Sequence, residues 1–529
     1  MSSASIVRHV AVSFLLGIVA RSFLHMHRVN AGFPEQSVGA LAGAVLLVGM
    51  VWLSLLKRYR AAFIGLPPTV IPSRAEGSRT VILFLLLVLS FFLGVVRFEL
   101  SLPARVTFPS TPSSVSGVVR ELRLEKSKSA GTFQLHLPSG IIIVRFADSS
   151  VRITEGEAVE VFCRIKPPAR GFQDPFTGPY RKVFRQERLG VVGACEAQAI
   201  TVHASVSLLE RVRLAPDRFR SSLVESARAL LPGPPGIVLG SIVFGVDEQL
   251  PTEIIEQFKR AGTLHILVVS GSQFTLLTEW LDGMLASVLP TVAARAAAIS
   301  GFLLFFLAMI GFPVPAVRGF LLSLSGLAAR VLGRPRAAVH LLLLIAAGMS
   351  VADPWLPLFS LGFQLSVLAT LGIVALSGQI NTLVFGETHA RFPNASSAFS
   401  SSIAASVSTL PLLLGAFGNV SIISIVANVV AGAFSLLLLS GALLFFLLVA
   451  VLPSVAALLA PMVGFAINLF VGLMASFADV PWASVLLGRV PGALVLVYYA
   501  FFLLLCWIGS ARKTTALHGL PVSGTIADI

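Results

Sequence analysis

The sequence predicts a mainly α-helical polytopic membrane protein of about twelve transmembrane helices, with a small OB-like β-barrel inserted after the third. Three observations carry this. The 529 residues are 56% hydrophobic and only 12% charged, with a mean hydropathy of +0.89, which leaves too little polar surface to cover a soluble core of that size. Mainly apolar runs long enough to cross a hydrocarbon core recur along the chain. Between residues 101 and 204 that pattern gives way to short apolar runs alternating with polar residues.

Residues 1–100 hold three expected spans, 10–24, 38–56 and 80–98. Arg8 before an apolar run also fits a signal peptide, but no small-x-small cleavage pattern is clear and two further spans follow, so an uncleaved anchor is preferred. Within 101–204, the runs 115–124, 132–137, 141–146, 158–165 and 190–200 read as strands bounded by Ser, Gly and Pro, a content that suits a small barrel. The segment 167–176, which opens Pro167-Pro168, is a loop. Residues 205–235 read as an amphipathic linker helix with Phe219, Leu223, Ala227 and Leu230 on one face. It is either an interfacial helix broken or entered at Pro216, or a helix packed on the barrel. From 236 to 510 the chain is almost continuously apolar, with nine expected spans: 264–289, 296–312, 314–332, 338–352, 356–376, 398–417, 421–450, 453–478 and 492–508. Residues 511–529 form a short tail.

The net charge is +14, and basic loops orient such a chain. Lys57, Arg58, Arg60, Arg74 and Arg79 form one cluster, Arg330, Arg334 and Arg336 a second, and Arg512 and Lys513 a third. With twelve spans all three fall on one side, which places both termini in the cytoplasm, the barrel outside it and the protein in the inner membrane. Of three cysteines, Cys506 lies in an apolar run and reads as a small hydrophobe. Cys163 and Cys195 are expected to form a disulfide if their segment faces an oxidising compartment; the alternative is two buried thiols. No CxxC, HxHxD, HExxH, Walker A or GxGxxG occurs in a fitting context, so no metal, cofactor or catalytic residue is expected.

Polar groups inside a membrane domain are costly, which makes each a candidate. His265, Ser270, Ser272 and Gln273 crowd the start of one expected span. If that helix is regular they share a face; equally, Ser270-Gly271-Ser272 can break it, or pack small residues between helices. Arg318 follows Pro313-Val314-Pro315 and either snorkels to the interface or faces a polar cavity, where its guanidinium suits phosphate or carboxylate. Asp353-Pro354 reads as a span end, with Gln364 and Ser366 inside the next span, where interhelical hydrogen bonding is the plainer role. Asn428, near the start of a long apolar run, caps a half-helix or pairs across the bundle.

At these residues the chain resembles the ComEC-type competence family. The resemblance rests on Lys259-Arg260-Ala261-Gly262 with His265 and Ser270-Gly271, on the stretch from Gly311 to Arg318, on Asp353-Pro354 with Phe363-Gln364-Leu365-Ser366, and on Pro411 and Asn428, in that order over about 235–480. Upstream, Pro167-Pro168, Gly171-Phe172-Gln173-Asp174 and Tyr180-Arg181-Lys182-Val183-Phe184-Arg185 are similar to the family's outer OB-like domain. Gln273 stands where the family has a second histidine, and the proline that usually follows the asparagine is absent. No HxHxD cluster for the family's metallo-β-lactamase-like domain is present, so no nuclease activity is expected of this chain.

The resemblance implies a channel for uptake of single-stranded DNA across the inner membrane during natural transformation. His265, Ser270, Gln273, Arg318, Gln364, Ser366 and Asn428 are then expected to line one polar cavity. Arg164, Lys166, Arg170, Arg181, Lys182 and Arg185 are expected to bind DNA on the outer domain, where fourteen Lys and Arg stand against nine Asp and Glu in 103–202. Phe133, Phe146, Phe172, Phe176, Tyr180 and Phe184 are either stacking surfaces or core. The partners implied are single-stranded DNA, membrane lipid, a separate nuclease, a DNA receptor, a cytoplasmic translocase and a second copy of the chain. Two other readings compete: a transporter of a small or lipid-linked anionic substrate, and a receptor or assembly scaffold with a sealed bundle.

Overall fold

The structure is a computed structural model and describes residues 3–31, 74–101, 112–124, 131–137, 140–147, 153, 157–166, 191–203, 208–246, 250–333, 338–386, 393–488, 490, 494–495 and 498–499. The expected span 38–56, most of 492–508, the Pro167-Pro168 loop and the tail lie outside the described residues. The chain forms two compact units. The first comprises Met1–Gln249, Leu267–Val367 and Leu439–Gly464, the second Leu250–Ile266, Leu368–Leu438 and Phe465–Ile529.

The first unit opens with α1 (Ser3–Ala31) and α2 (Arg74–Glu99), which cross in backbone contact. Gly17 lies on the Phe91 carbonyl and Gly94 on the Phe14 carbonyl, and neither place admits a Cβ. Arg21 pairs with Glu99 where these helices meet. Beside that pair, Arg97 donates from Nε to the Val351 carbonyl at 2.6 Å and from Nη2 to the Ala352 carbonyl at 3.0 Å. These are the last carbonyls of α10 (Ala338–Ala352), so Arg97 satisfies acceptors that the helix itself cannot. Phe98 packs on Trp355, ring centroids 5.0 Å apart, just beyond them.

Five strands follow: β1 (Ser113–Leu124), β2 (Gly131–Leu137), β3 (Gly140–Phe146), β4 (Ala158–Cys163) and β5 (Val191–His203). They close a barrel in the order β1-β2-β3-β5-β4, with β4 returning to β1 and only the β3–β5 pair parallel. Alternation sends Val119, Phe133, Leu135, Ile142, Val144, Val159, Val161 and Ile165 into one core. Phe133 and Phe146 are 1% and 5% exposed, so these two stacking candidates are core. Cys163 and Cys195 are joined by a disulfide inside this core, their Cα atoms 5.9 Å apart. The bridge closes 32 residues of sequence. Replacing both cysteines by alanine is expected to cost the barrel about 3–4 kcal/mol. Limited proteolysis of the purified protein checks this: the variant should be cut within the barrel faster than the oxidised wild type.

After the barrel, α3 (Leu208–Leu230) runs through Pro216 without a break, so the helix is neither broken nor entered there. Leu223, Val224 and Ala227 are buried, whereas Phe219 is 45% exposed and does not belong to the buried face. Arg220 donates from Nη1 to the Met309 carbonyl at 3.1 Å, at the end of α8 (Val292–Met309). A helix the sequence did not announce, α4 (Pro234–Phe244), is almost wholly buried.

The expected span 264–289 is two pieces: α6 (Leu264–Leu267), a break at 268–270, and α7 (Gly271–Leu285). His265 and Ser272 therefore do not share one helix face. α8 and α9 (Val314–Val331) complete a bundle with α7. At its far end Asp282 binds Arg295 Nε at 2.9 Å and Arg330 Nη1 at 2.8 Å, tying α7, α8 and α9 together. α10 has 15 residues, short of a full crossing. A four-residue helix, α11 (Leu356–Phe359), precedes α12 (Leu361–Phe385).

The second unit contains α5 (Thr252–Ala261), α13 (Pro393–Phe417) and a two-stranded pair, β6 (Asn419–Ser421) with β7 (Ser484–Leu486), neither α5 nor the pair expected from sequence. Ser421 Oγ donates to the Arg260 carbonyl at 2.7 Å, which pins the end of α5 to β6. The long helices α14 (Ser424–Val451) and α15 (Pro453–Ala478) follow. Pro411 lies inside α13 and has no N–H for the Val407 carbonyl. The Tyr498 hydroxyl donates to that carbonyl at 2.9 Å, and the Tyr499 hydroxyl to the Ser408 carbonyl at 2.9 Å. Tyr498→Phe is expected to lower stability by about 1 kcal/mol, read as a lower melting temperature in detergent.

Among the described residues six helices are long and apolar enough to cross a membrane: α8, α9, α12, α13, α14 and α15. The count of about twelve is not reached by these helices.

Candidate functional site

The break at 268–270 is held by hydrogen bonds from the unexpected helix α4 and from the start of α7. Ser241 Oγ donates to the Leu267 carbonyl at 2.6 Å, closing the end of α6. Gln273 accepts from the Ser270 N–H at 3.3 Å and donates from Nε2 to the Ile242 carbonyl at 3.0 Å. Its first bond is half of a capping box; its second ties α7 to α4. Ser270 and Ser272 share a hydroxyl hydrogen bond of 2.8 Å. Interrupted backbone is tolerated in a membrane domain where such partners satisfy it. Gln273, in the place of the family's histidine, thus has a clear structural task.

A second turn prepares Arg318. After α8 the chain reverses through Gly311 (φ 78°) and Phe312 (φ 57°), and Pro313 leads into α9. Phe312 is the one non-glycine among the described residues with positive φ, a local strain located at this turn. Arg318 lies in the second turn of α9 and is only 8% exposed, so its guanidinium is not carried to the protein surface. A Cβ added at Gly271 would stand 2.9 Å from the Pro315 carbonyl oxygen and 3.0 Å from Arg318 Nη2. A Cβ at Gly319 would overlap the Gly271 carbonyl. The first turns of α7 and α9 are therefore in backbone contact, with the arginine laid over the seam.

A third break joins them. Gln364 donates from Nε2 to the Pro357 and Leu358 carbonyls at 2.9 and 2.6 Å, bracing the step from α11 to α12 at Ser360. Its Oε1 is buried with no hydrogen-bond partner among the described residues. Gly362 faces the Pro315 ring, 3.3 Å from an added Cβ. Asp353 accepts from the Trp355 N–H at 3.1 Å just before this step, and Ser366 lies in the first turns of α12. Three helix starts, at Gly271, Val314 and Leu361, thus meet around Pro315. Each carries about half a positive charge, and Arg318 adds a whole one, so the locus favours an anion.

The expected cavity residues fall in both units. Ser270, Gln273, Arg318, Gln364 and Ser366 belong to the first, and the first four are linked as described. His265, exposed on α6, and Asn428 belong to the second. Asn428 sits one turn inside α14 and so does not cap it; its Oδ1 is buried without a partner among the described residues. On the barrel, Arg164 and Lys166 are exposed, and Lys166 extends the β4 line by pairing with Ala194. Arg170, Arg181, Lys182 and Arg185 lie outside the described residues. The sequence reading passed over Phe162, which is 40% exposed. Its register was a usable signal, because Val159, Val161, Cys163 and Ile165 take the inward positions and leave Phe162 with Glu160 and Arg164.

The fold and this locus define a polytopic membrane protein with an inserted five-stranded barrel and, in its bundle, three helix starts that meet beside a buried arginine. A family model described as Competence protein matches residues 242–512, which contain all three breaks. The chain belongs to the competence protein family, whose role is in DNA uptake. No curated protein and no solved structure matches the chain.

Proposed function

We propose that the protein is a channel that passes single-stranded DNA across the inner membrane. The observation that carries this is the meeting of three helix starts and buried Arg318 at one level of the bundle. That level is also where α2 hands the chain to the barrel, because Arg97 caps α10 there and α12 starts nine residues later. A phosphate leaving the barrel would find positive charge there to hold and release it. The barrel's strand order and closure agree with an OB-like single-strand binder, placed outside the cytoplasm with both termini inside. The chain itself performs no hydrolysis, so a separate nuclease removes the other strand, and a receptor and a cytoplasmic translocase supply and draw in the DNA.

The test is uptake of labelled DNA by cells with and without the gene. Loss of uptake with normal surface binding supports the channel. Unchanged uptake overturns it, and altered handling of a small or lipid-linked anion would favour a transporter instead.

A further inference from the structure

The barrel's outward register holds an aromatic ring that its core does not use. Among the described barrel residues, Phe162 is the one large apolar side chain left exposed, at 40%. Strand pairing sets Ser114 on one side of it and Ala199 on the other. Both are small and exposed, so neither covers the ring. Along the same line the outward positions continue to Arg164 and Lys166, about 6.6 Å and 13 Å away. Glu160 is on this register in the other direction, so phosphate is favoured at the Arg164–Lys166 end. Glu196, on the neighbouring β5, stands beside Arg145 of β3 in register.

We propose that Phe162 is a base-stacking platform of a single-strand site on this barrel face, with Arg164 and Lys166 taking the adjoining phosphates. This rests on the reading of the protein as a DNA channel and adds where the incoming strand first lies. A ring on the barrel's outer face between two small residues offers one side of its π-system to a base. Cations two and four residues along the strand then track the backbone. That is the combination by which single strands are held without sequence preference. The ligand is thus single-stranded and base-bearing; a duplex, whose bases are already stacked, gains only the phosphate contacts.

The experiment uses the full chain in lipid nanodiscs and two fluorescent probes, an oligothymidine of about twelve nucleotides and an abasic strand of the same length. Phe162→Ala is expected to weaken oligothymidine binding about tenfold and leave the abasic strand unchanged. Phe162→Trp should restore it. Lys166→Ala should weaken both probes and flatten the salt dependence. A non-reducing gel showing the intact Cys163–Cys195 bridge confirms the fold of each variant. Equal binding of both probes by wild type and Phe162→Ala overturns the platform while leaving the channel reading intact. Failure of the wild type to bind either probe in low salt overturns the platform together with the barrel's role in DNA capture.

Discussion

Arg318→Ala is expected to reduce DNA uptake by about ten- to a hundredfold, the worth of one charge-assisted hydrogen bond of about 1.5–3 kcal/mol made at each passing phosphate. The argument is electrostatic. The three helix starts at Gly271, Val314 and Leu361 supply partial charges, but Arg318 supplies the full charge and a planar fork. Arg318→Lys keeps the charge and loses the fork, so it should fall between alanine and wild type. The side chain also roofs Gly271, so part of the alanine effect could arise from packing. Measuring uptake beside the amount of protein in the membrane separates the two. Normal uptake by a well-expressed Arg318→Ala protein would remove the arginine from the path.

The other large effect concerns the seam beneath it. Gly319→Val is expected to deplete the protein from the membrane or leave it insoluble in mild detergent. A Cβ at this position meets the Gly271 carbonyl, carbon and Cα, all backbone, so no rotamer change relieves the overlap and the first turns of α7 and α9 must separate. Forced separation costs about 3 kcal/mol or more and also loosens the cap at Ser270. Gly301→Ala on α8 is the control, because an added Cβ there meets nothing within 4 Å. Wild-type melting and extraction of Gly319→Val would mean that these helices do not touch as described.

The barrel was the most legible part of the fold. Its strands alternate over six or more residues, and that period has no helical competitor, so the observed strands match the expected ones to within a few residues. In the bundle, hydropathy marks apolar length but not continuity. Val268, Val269 and Ser270 suit a helix as well as a break, and what decides is Ser241 and Gln273, a tertiary arrangement that no local window contains. For the same reason α4 was missed: two prolines and two glycines mask a helix whose stability comes from burial. The site was legible as a set of costly residues but not as a structure. Gln364 was rightly suspected of hydrogen bonding, yet its partners are the carbonyls of the short helix α11 just before it rather than a helix across the bundle. The helix starts that gather around Pro315 could not be read at all, because convergence depends on packing between segments far apart in sequence.

The bond from Arg97 to Val351 spans 254 residues, and synthesis gives that span a duration. At about 5–20 residues per second the arginine is made about 13–50 s before its acceptor. The first helices are therefore made with a guanidinium whose final partner does not yet exist. Their own glycine seam and the Arg21–Glu99 pair lie wholly within the first 100 residues and hold α1 and α2 together meanwhile. Once α10 is made, its free carbonyl end is drawn to the waiting cation. Assembly of this unit thus has a built-in order: the α1–α2 pair forms early and is locked in place only when α10 arrives.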